Sequence, residues 1–312
     1  MRTIGLCIPA YNAEKYLNRL LTSAKHQIRP FDEIIVFDDA RTDSTSVVAK
    51  ENGAKVIKGV KNVGCSTAKN VMAEACRCDW IHFHDADDEL LPEFTTLAFE
   101  WINMQKAPDV VLFAYEYRDN ETGNLLGVRT FDRVNLELDA IAYAIREQIN
   151  PFCGLYNRSR FIKAGGYDID PAVLYNEDTA LHIRLAIRGL TFSADDRVSI
   201  INYRISSSMS AVNKHKCIEA QFNVLNKTAE RVAETHFRDI AFRLWEIIGP
   251  MAAQNNWPYV KKALLLSRRL GYRHPFSGSL LFKGLTRLDP YFGIWFREKM
   301  IRLVKKRELM AT

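Results

Sequence analysis

The chain has 312 residues, 47% hydrophobic and 26% charged, with 43 Lys+Arg against 37 Asp+Glu and a net charge of +6. These are the proportions of a globular protein with room for one large domain and a smaller one, and they exclude fibrous and disordered classes. No apolar run approaches the roughly 20 residues that span a bilayer.

The N-terminal "MRTIGLCIPAYN" meets Pro9 too early for a signal peptide. The six cysteines (Cys7, Cys65, Cys76, Cys78, Cys153, Cys217) form no CxxC pair and no disulfide framework, so reduced thiols in a cytoplasmic protein are expected. The first 115 residues alternate between two periodicities. "TIGLCI" (3–8) predicts a strand, and "AEKYLNRLLTSAKHQ" a helix with Tyr16, Leu17, Leu20, Leu21 and Ala24 on one face. "DEIIVF" is a second strand, followed by a helix from about Ser44, capped by Thr42 or Asp43 and closed by Gly53. "AKVIKG", "WIHFH" and "DVVLFAYEY" predict three further strands, separated by the helices "STAKNVMAEAC" and "PEFTTLAFEWINMQ".

Beyond residue 120 the rhythm loosens. "RDNETGNLLG" reads as a turn between strands, "LDAIAYAIREQI" as a helix, and "CGLYNRSRFIKAGGYD" as a strand and short helix ending at Gly165-Gly166. "NEDTALHIRLAIRG" predicts a helix with an acidic first turn, and "VSIINYRI" a strand. From 211 on the pattern is helical, giving an α/β domain over 1–210 and a basic helical region over 211–312. That region carries 19 Lys+Arg against 8 Asp+Glu, leaving a balance of −5 for the remainder.

Such β-α-β alternation predicts an α/β fold, a mostly parallel twisted sheet flanked by helices, with ligands binding beyond the strands' carboxyl ends. Pro9, Ala10 and Tyr11 follow the first strand, Asp38 and Asp39 the second, and Asp85, Asp87 and Asp88 the fourth. Acids so crowded repel one another unless something offsets them. Two carboxylates two residues apart in a turn can share a hard divalent cation that takes its other oxygens from a phosphorylated substrate. A solvated acidic turn is the plain alternative, which the acids at 38 and 39 on the same rim weigh against. A dinucleotide fingerprint is absent after the first strand, and "GVKNVGCSTAKN" lacks a P-loop's Gly-Lys-Ser/Thr ending. His82 and His84 have no matching zinc-ligand set and read as core or surface residues.

At this point "IPAYNAEKYLNRLLTSA", "DEIIVFDDARTDST", "NVGCSTAKN" and "IHFHDADDELLPE" together resemble, in order and spacing, the family 2 glycosyltransferases of GT-A fold. "GGYD", "NEDTALHIRLAIRG" and "YRISSSMS" extend the likeness to about residue 210. The resemblance implies an inverting transferase using a nucleotide-linked sugar, with UDP expected, acting on a saccharide or lipid-linked saccharide in cell-surface polysaccharide or lipopolysaccharide synthesis. It implies that Pro9, Ala10 and Tyr11 line the nucleotide, Asp39 binds uracil, and Lys69 stands where the family often has Arg. Asp85 would sit near ribose or sugar, Asp87 would ligate Mg²⁺ or Mn²⁺, Arg204 would meet the diphosphate, and Asp178 would match the catalytic base. Asp178 could equally serve as a helix N-terminal acid.

Two departures stand out. The second block reads Asp38-Asp39-Ala40-Arg41 where the family continues Asp-Asp-Gly-Ser, so a glycine is lost and a cation gained. Ser206 occupies a position where family members often carry a histidine, which leaves a third metal ligand open. Near the C-terminus, residues 281–309 interleave Phe292, Ile294, Trp295, Phe296 and Leu303 with Lys and Arg. A basic amphipathic helix there would either pack on the catalytic domain or lie on an anionic membrane surface, making the protein peripheral to the cytoplasmic face. No RNA-binding motif accompanies it, and no nucleic-acid partner is expected. The competing classes are a nucleotidyltransferase, which would want a glycine-rich basic loop after the first strand, and a non-catalytic nucleotide-sugar-binding module.

Overall fold

The computed structural model describes residues 2–40, 42–205 and 212–311. Arg41 and Ser206, singled out above, lie outside the described residues, as does the expected boundary after residue 210. The chain divides into two compact units: Met1–Ala144 with Gln148–Ile169 and Glu177–Ser208, and Ile145–Glu147 with Asp170–Asn176 and Met209–Thr312.

The first unit begins with β1 (Ile4–Ala10), α1 (Glu14–Lys25), β2 (Glu33–Asp38), α2 (Thr45–Glu51), β3 (Lys55–Lys58), α3 (Cys65–Ala75), β4 (Trp80–Phe83), the two-residue β5 (Glu89–Leu90) and α4 (Phe94–Ile102). It continues with β6 (Val110–Asp119), β7 (Leu125–Arg129), α5 (Arg133–Leu138), α6 (Ala140–Arg146), β8 (Gly154–Asn157), α7 (Arg158–Lys163), α8 (Glu177–Ile187) and β9 (Phe192–Arg204). The strands form one sheet in the order β3-β2-β1-β4-β8-β6-β9-β5, with β7 beside β6.

β1 lies between β2 and β4 in parallel register, and Ile4, Leu6, Cys7 and Ile8 are fully buried, as a strand covered on both faces requires. Leu17, Leu20, Leu21 and Ala24 form the buried stripe of α1. The parallel pattern ends at β4. There β8 inserts, antiparallel to both β4 and β6, while β6 and β9 run parallel beyond it. The sheet is therefore mixed: parallel around β1 to β4 and largely antiparallel elsewhere. One antiparallel pair, β6 with β7, is a hairpin. An Asx turn, in which Asp119 Oδ1 accepts the amides of Glu121 and Thr122 at 3.1 and 2.8 Å, folds β6 back into β7 instead of launching a crossover helix.

Two short helices stand here: α5, which the pattern did not predict, and α6, the shortened form of the helix expected over 138–149. Asp139 is extended (φ −151°, ψ 87°), and its carboxylate caps the second by accepting the Ala142 amide at 2.9 Å.

The second unit is helical: α9 (Lys214–Ala229), α10 (Phe237–Ala253), α11 (Trp257–Arg269), α12 (Leu280–Leu288) and α13 (Pro290–Ala311). Ile240, Leu244, Ile247, Ile248 and Met251 are the buried stripe of α10. Residues 170–176 join this unit through Lys227 Nζ on Asp170 at 2.8 Å and Asn223 on the Ala172 carbonyl at 2.8 Å. Residues 281–309 do not make one helix. Asp289 precedes Pro290, whose ring disfavours the helical conformation before it, and Asp289 is extended (φ −149°, ψ 115°). Among the described residues no helix is long and apolar enough to cross a membrane.

Candidate active site

The carboxyl ends of β1, β2 and β4 share one rim of the first unit. β1 ends in Pro9 and Ala10, the latter paired with Asp38, and the exposed Tyr11 follows. Asp39 is buried. Its Oδ1 accepts the Val63 amide at 2.7 Å and its Oδ2 the Gly64 amide at 2.9 Å, so one carboxylate clamps the loop that starts α3. Ala40 next to it has φ +55°, the left-handed region that favours glycine. The turn keeps a conformation that glycine adopts freely. The turn survives with an alanine held in a costly conformation.

The acids after β4 fall into two pairs. Asp88 is buried and accepts from Asn202 Nδ2 at 2.8 Å and the Tyr203 amide at 2.9 Å; Glu89 accepts from the Tyr203 hydroxyl at 2.9 Å. These two tie the turn to β9. Asp85 and Asp87 remain at the rim. Lys69, on α3 and almost fully buried, places Nζ 3.3 Å from Asp85 Oδ1. Arg19 of α1 donates to the carbonyl oxygen of Asp87, leaving that carboxylate for another role, and lies 3.7 Å from the Tyr203 ring centroid. Burial, then repulsion from Asp85, pushes Asp87 up to about 6.

Asp178 opens α8 beside Glu177. Burial first, then Glu177 and Asp85, push its carboxyl up to about 8, against the pull of Lys69. Burial alone would lower the Lys69 amine, but Asp85, Cys65 and Asp178 hold it well above its ordinary value. One buried ammonium thus faces acids from two separate segments, β4–β5 and α8. The Cys65 thiol, one turn before Lys69, is pushed up to about 12 by burial and stays protonated. Arg204 is exposed, its guanidinium stacked 4.0 Å from the Tyr117 ring centroid at the end of β9, next to the Tyr203 that anchors Asp88. His82 and His84 are buried and bonded to each other at 2.9 Å; burial pushes His84 down to about 3, so they are core residues.

Sequence reasoning overlooked the struts. Asn70 of α3 exchanges two hydrogen bonds with the Tyr167 backbone, at 2.8 and 3.1 Å. A Cβ on Gly166 (φ +53°) would sit 2.4 Å from Asn70 Oδ1, so "GGYD" needs that glycine for both angle and space. Arg184 donates to the carbonyls of Gly165 and Gly166 and pairs with Asp168 at 2.9 Å. The Tyr167 ring lies 5.5 Å from Lys69 Nζ, and its hydroxyl is buried with no partner among the described residues. Spacing gives no sign that Arg19 reaches the acidic turn.

The sequence profile of glycosyl transferase family 2 matches residues 6–166, half of the chain. The chain belongs to that family. An uncharacterized glycosyltransferase of Rickettsia typhi is 24% identical over 70% of this chain and 69% of its own length. A TPR repeat-containing protein of Synechococcus elongatus is 31% identical over 125 residues, and there the match spans only 30% of the relative's length. Among solved structures, S. aureus TarS 1-349 in complex with UDP-GlcNAc superposes with a TM-score of 0.74 at 18% identity, covering 96% of this chain and 92% of that one. A mannosyltransferase of Pyrobaculum calidifontis in complex with GDP-Man and Mn²⁺ gives 0.62 at 16% identity, covering 100% and 88%. The fold is the GT-A glycosyltransferase fold, and the family 2 transferase is an enzyme of the glycosyltransferase class.

Proposed function

We propose that this transferase moves a sugar from a nucleoside-diphosphate donor, UDP-linked in the first instance, to a saccharide or lipid-linked saccharide hydroxyl with inversion at the anomeric carbon. The carrying observation is the convergence of Asp85 and Asp178 on the buried Lys69 at the strand-end rim. The nucleotides held by the two fold neighbours support the same reading.

Residues at the rim suit a divalent ion. Asp85 and Asp87 offer hard oxygen donors, and a bound cation would offset the burial and the Asp85 repulsion that raise Asp87. Asp87 would hold Mg²⁺ or Mn²⁺, with Asp85 toward the ribose or sugar; the bound ion would offset charge on the departing diphosphate. Pro9, Ala10 and Tyr11 would form the wall against the base. Asp39, already engaged by two amides, has lone pairs left for a uracil N–H. Arg204, standing at the end of β9, would reach the diphosphate.

Asp178 would take the proton of the attacking acceptor hydroxyl. A carboxyl pushed up to about 8 is a stronger base than an ordinary aspartate, and near neutral pH this compromise between basicity and ionised fraction favours general-base work. Lys69 keeps part of it ionised. Donor turnover with and without an acceptor, and the anomeric configuration of the product by NMR, test this directly. Retention of configuration, or unchanged transfer by Asp178→Asn, would rule out the single-displacement scheme.

A membrane-facing role for the C-terminal helices rests on a separate observation. Leu280, Leu281 and Leu288 of the basic second unit are 90, 67 and 85% exposed. Cosedimentation with anionic liposomes, lost on removing residues 281–312, supports it; a protein that stays in solution ends it.

A further inference from the structure

The amino ends of the parallel strands carry a second cluster, away from the chemistry above. Glu33 opens β2, Cys76 ends α3 and Cys78 precedes β4. One ligand atom from each lies within 4.8 Å of the others, although 43 residues separate Glu33 from the first of the cysteines. We propose that Glu33, Cys76 and Cys78 form a binding site for a thiophilic divalent cation, zinc in the first instance, with Cys7 of β1 as candidate fourth ligand.

Four features carry this. Both thiols are buried, so they form a fixed donor set rather than a surface accident. The amide of Arg77, between the cysteines, donates to Glu33 Oε2 at 2.9 Å, so the Cys-Arg-Cys chelate is held against its carboxylate through the backbone. Gly5 makes the room: a Cβ there would stand 2.5 Å from Cys76 Sγ and 3.5 Å from Cys78 Sγ. The Cys7 thiol, also fully buried, is in hydrogen-bonding contact with Cys76.

Two thiolates and a carboxylate suit a borderline-soft ion rather than Mg²⁺ or Ca²⁺. A tetrahedral zinc site with Zn–S of about 2.3 Å places its ligand atoms roughly 3.7 Å apart. The observed spacing therefore closes with small side-chain rotations. Lys55 Nζ sits 3.2 Å from Glu33 Oε1 and orients that carboxylate, which keeps lone pairs for a metal. Binding would expel the thiol protons, and the site would lock the start of β1, β2 and β4 together.

The test uses the full, reduced, chelator-treated protein titrated with Co²⁺. One equivalent should raise a thiolate-to-cobalt charge-transfer band in the near ultraviolet, displaced by Zn²⁺; cobalt held only by the oxygen donors of the acidic rim gives no such band. Cys65→Ser should keep the band, and the double variant Cys76→Ser/Cys78→Ser should lose it. Glu33→Gln should keep it but weaken affinity at least roughly tenfold. If the double variant does not fold, X-ray absorption at the zinc edge of the wild-type protein decides, with two or more sulfur neighbours expected. Cobalt or zinc coordinated by oxygen and nitrogen alone, no sulfur-ligated metal at all, or a band that survives the double variant overturns the site and leaves three cysteines acting as small core hydrophobes.

Discussion

The two edges of the sheet in the first unit use carboxylates in opposite ways. At the amino edge the acids hold neighbouring backbone: Asp32 accepts the Ile4 amide at 2.8 Å, Asp79 the Thr3 amide at 3.0 Å, and Glu33, through one oxygen, the Arg77 amide. These bonds close strand ends that would otherwise expose unpaired donors. At the carboxyl edge Asp85, Asp87, Glu177 and Asp178 crowd one another, and Asp87 and Asp178 are held above the ordinary carboxylate range. Satisfied acids are fasteners. Acids forced to share too little positive charge are what a site for a charged ligand looks like before the ligand arrives.

The contrast can be broken by mutation, beginning where the effect should be greatest. Asp178→Asn should cut transfer by roughly 10²–10⁴-fold while leaving the melting temperature equal or higher, read by donor turnover and calorimetry. Asp87→Ala should cost about 10²-fold or more, and extra Mn²⁺ should not restore it.

Stability should then follow pH with a definite sign. Because Asp178 titrates near 8 when folded and near 3.8 when unfolded, the native state carries a proton that the unfolded chain has released between these values. Metal-free protein should therefore lose stability as pH rises from about 4 to 8, with Asp87 adding to the fall between about 4 and 6. Asp178→Asn should flatten that slope in denaturant titrations at several pH values. A wild-type slope already flat there would mean these carboxyls are not perturbed.

The amino edge should answer differently. Asp79→Ala should cost about 0.5–1.5 kcal/mol of stability and leave kcat within twofold, since it removes the Thr3 amide's partner at a solvent-exposed strand end. A kinetic defect there would erase the distinction between the edges. Smallest of all, Ala40→Gly should gain roughly 0.5–1 kcal/mol by relieving the left-handed alanine, visible as a higher denaturant midpoint.

What the sequence disclosed follows from range. The strands and helices of residues 1 to 115 were legible because each is a short stretch with its own period, and the acids at 38, 39, 85 and 87 end their strands or follow within four residues. The mixed character of the sheet was not, because it depends on β8 crossing between β4 and β6, pairings of residues 73–77 and 42–46 apart that no local pattern encodes. For the same reason Asp88 looked like one more rim acid until Asn202 and Tyr203, 114 and 115 residues onward, came to meet it. Arg19 sits at an unremarkable polar position of α1 and reaches Asp87 only through tertiary structure. Pro290 could have been read as a break in the C-terminal helix, since its effect on Asp289 is local.

Calorimetric titration of UDP, with and without Mn²⁺, into wild-type protein and Asp87→Ala would probe the unbalanced rim most directly. A rim short of positive charge predicts that Mn²⁺ strengthens UDP binding to the wild type by at least tenfold and does nothing for the variant. Equal UDP affinity in all four combinations would contradict the idea that the acids after β4 wait for a cation and a diphosphate.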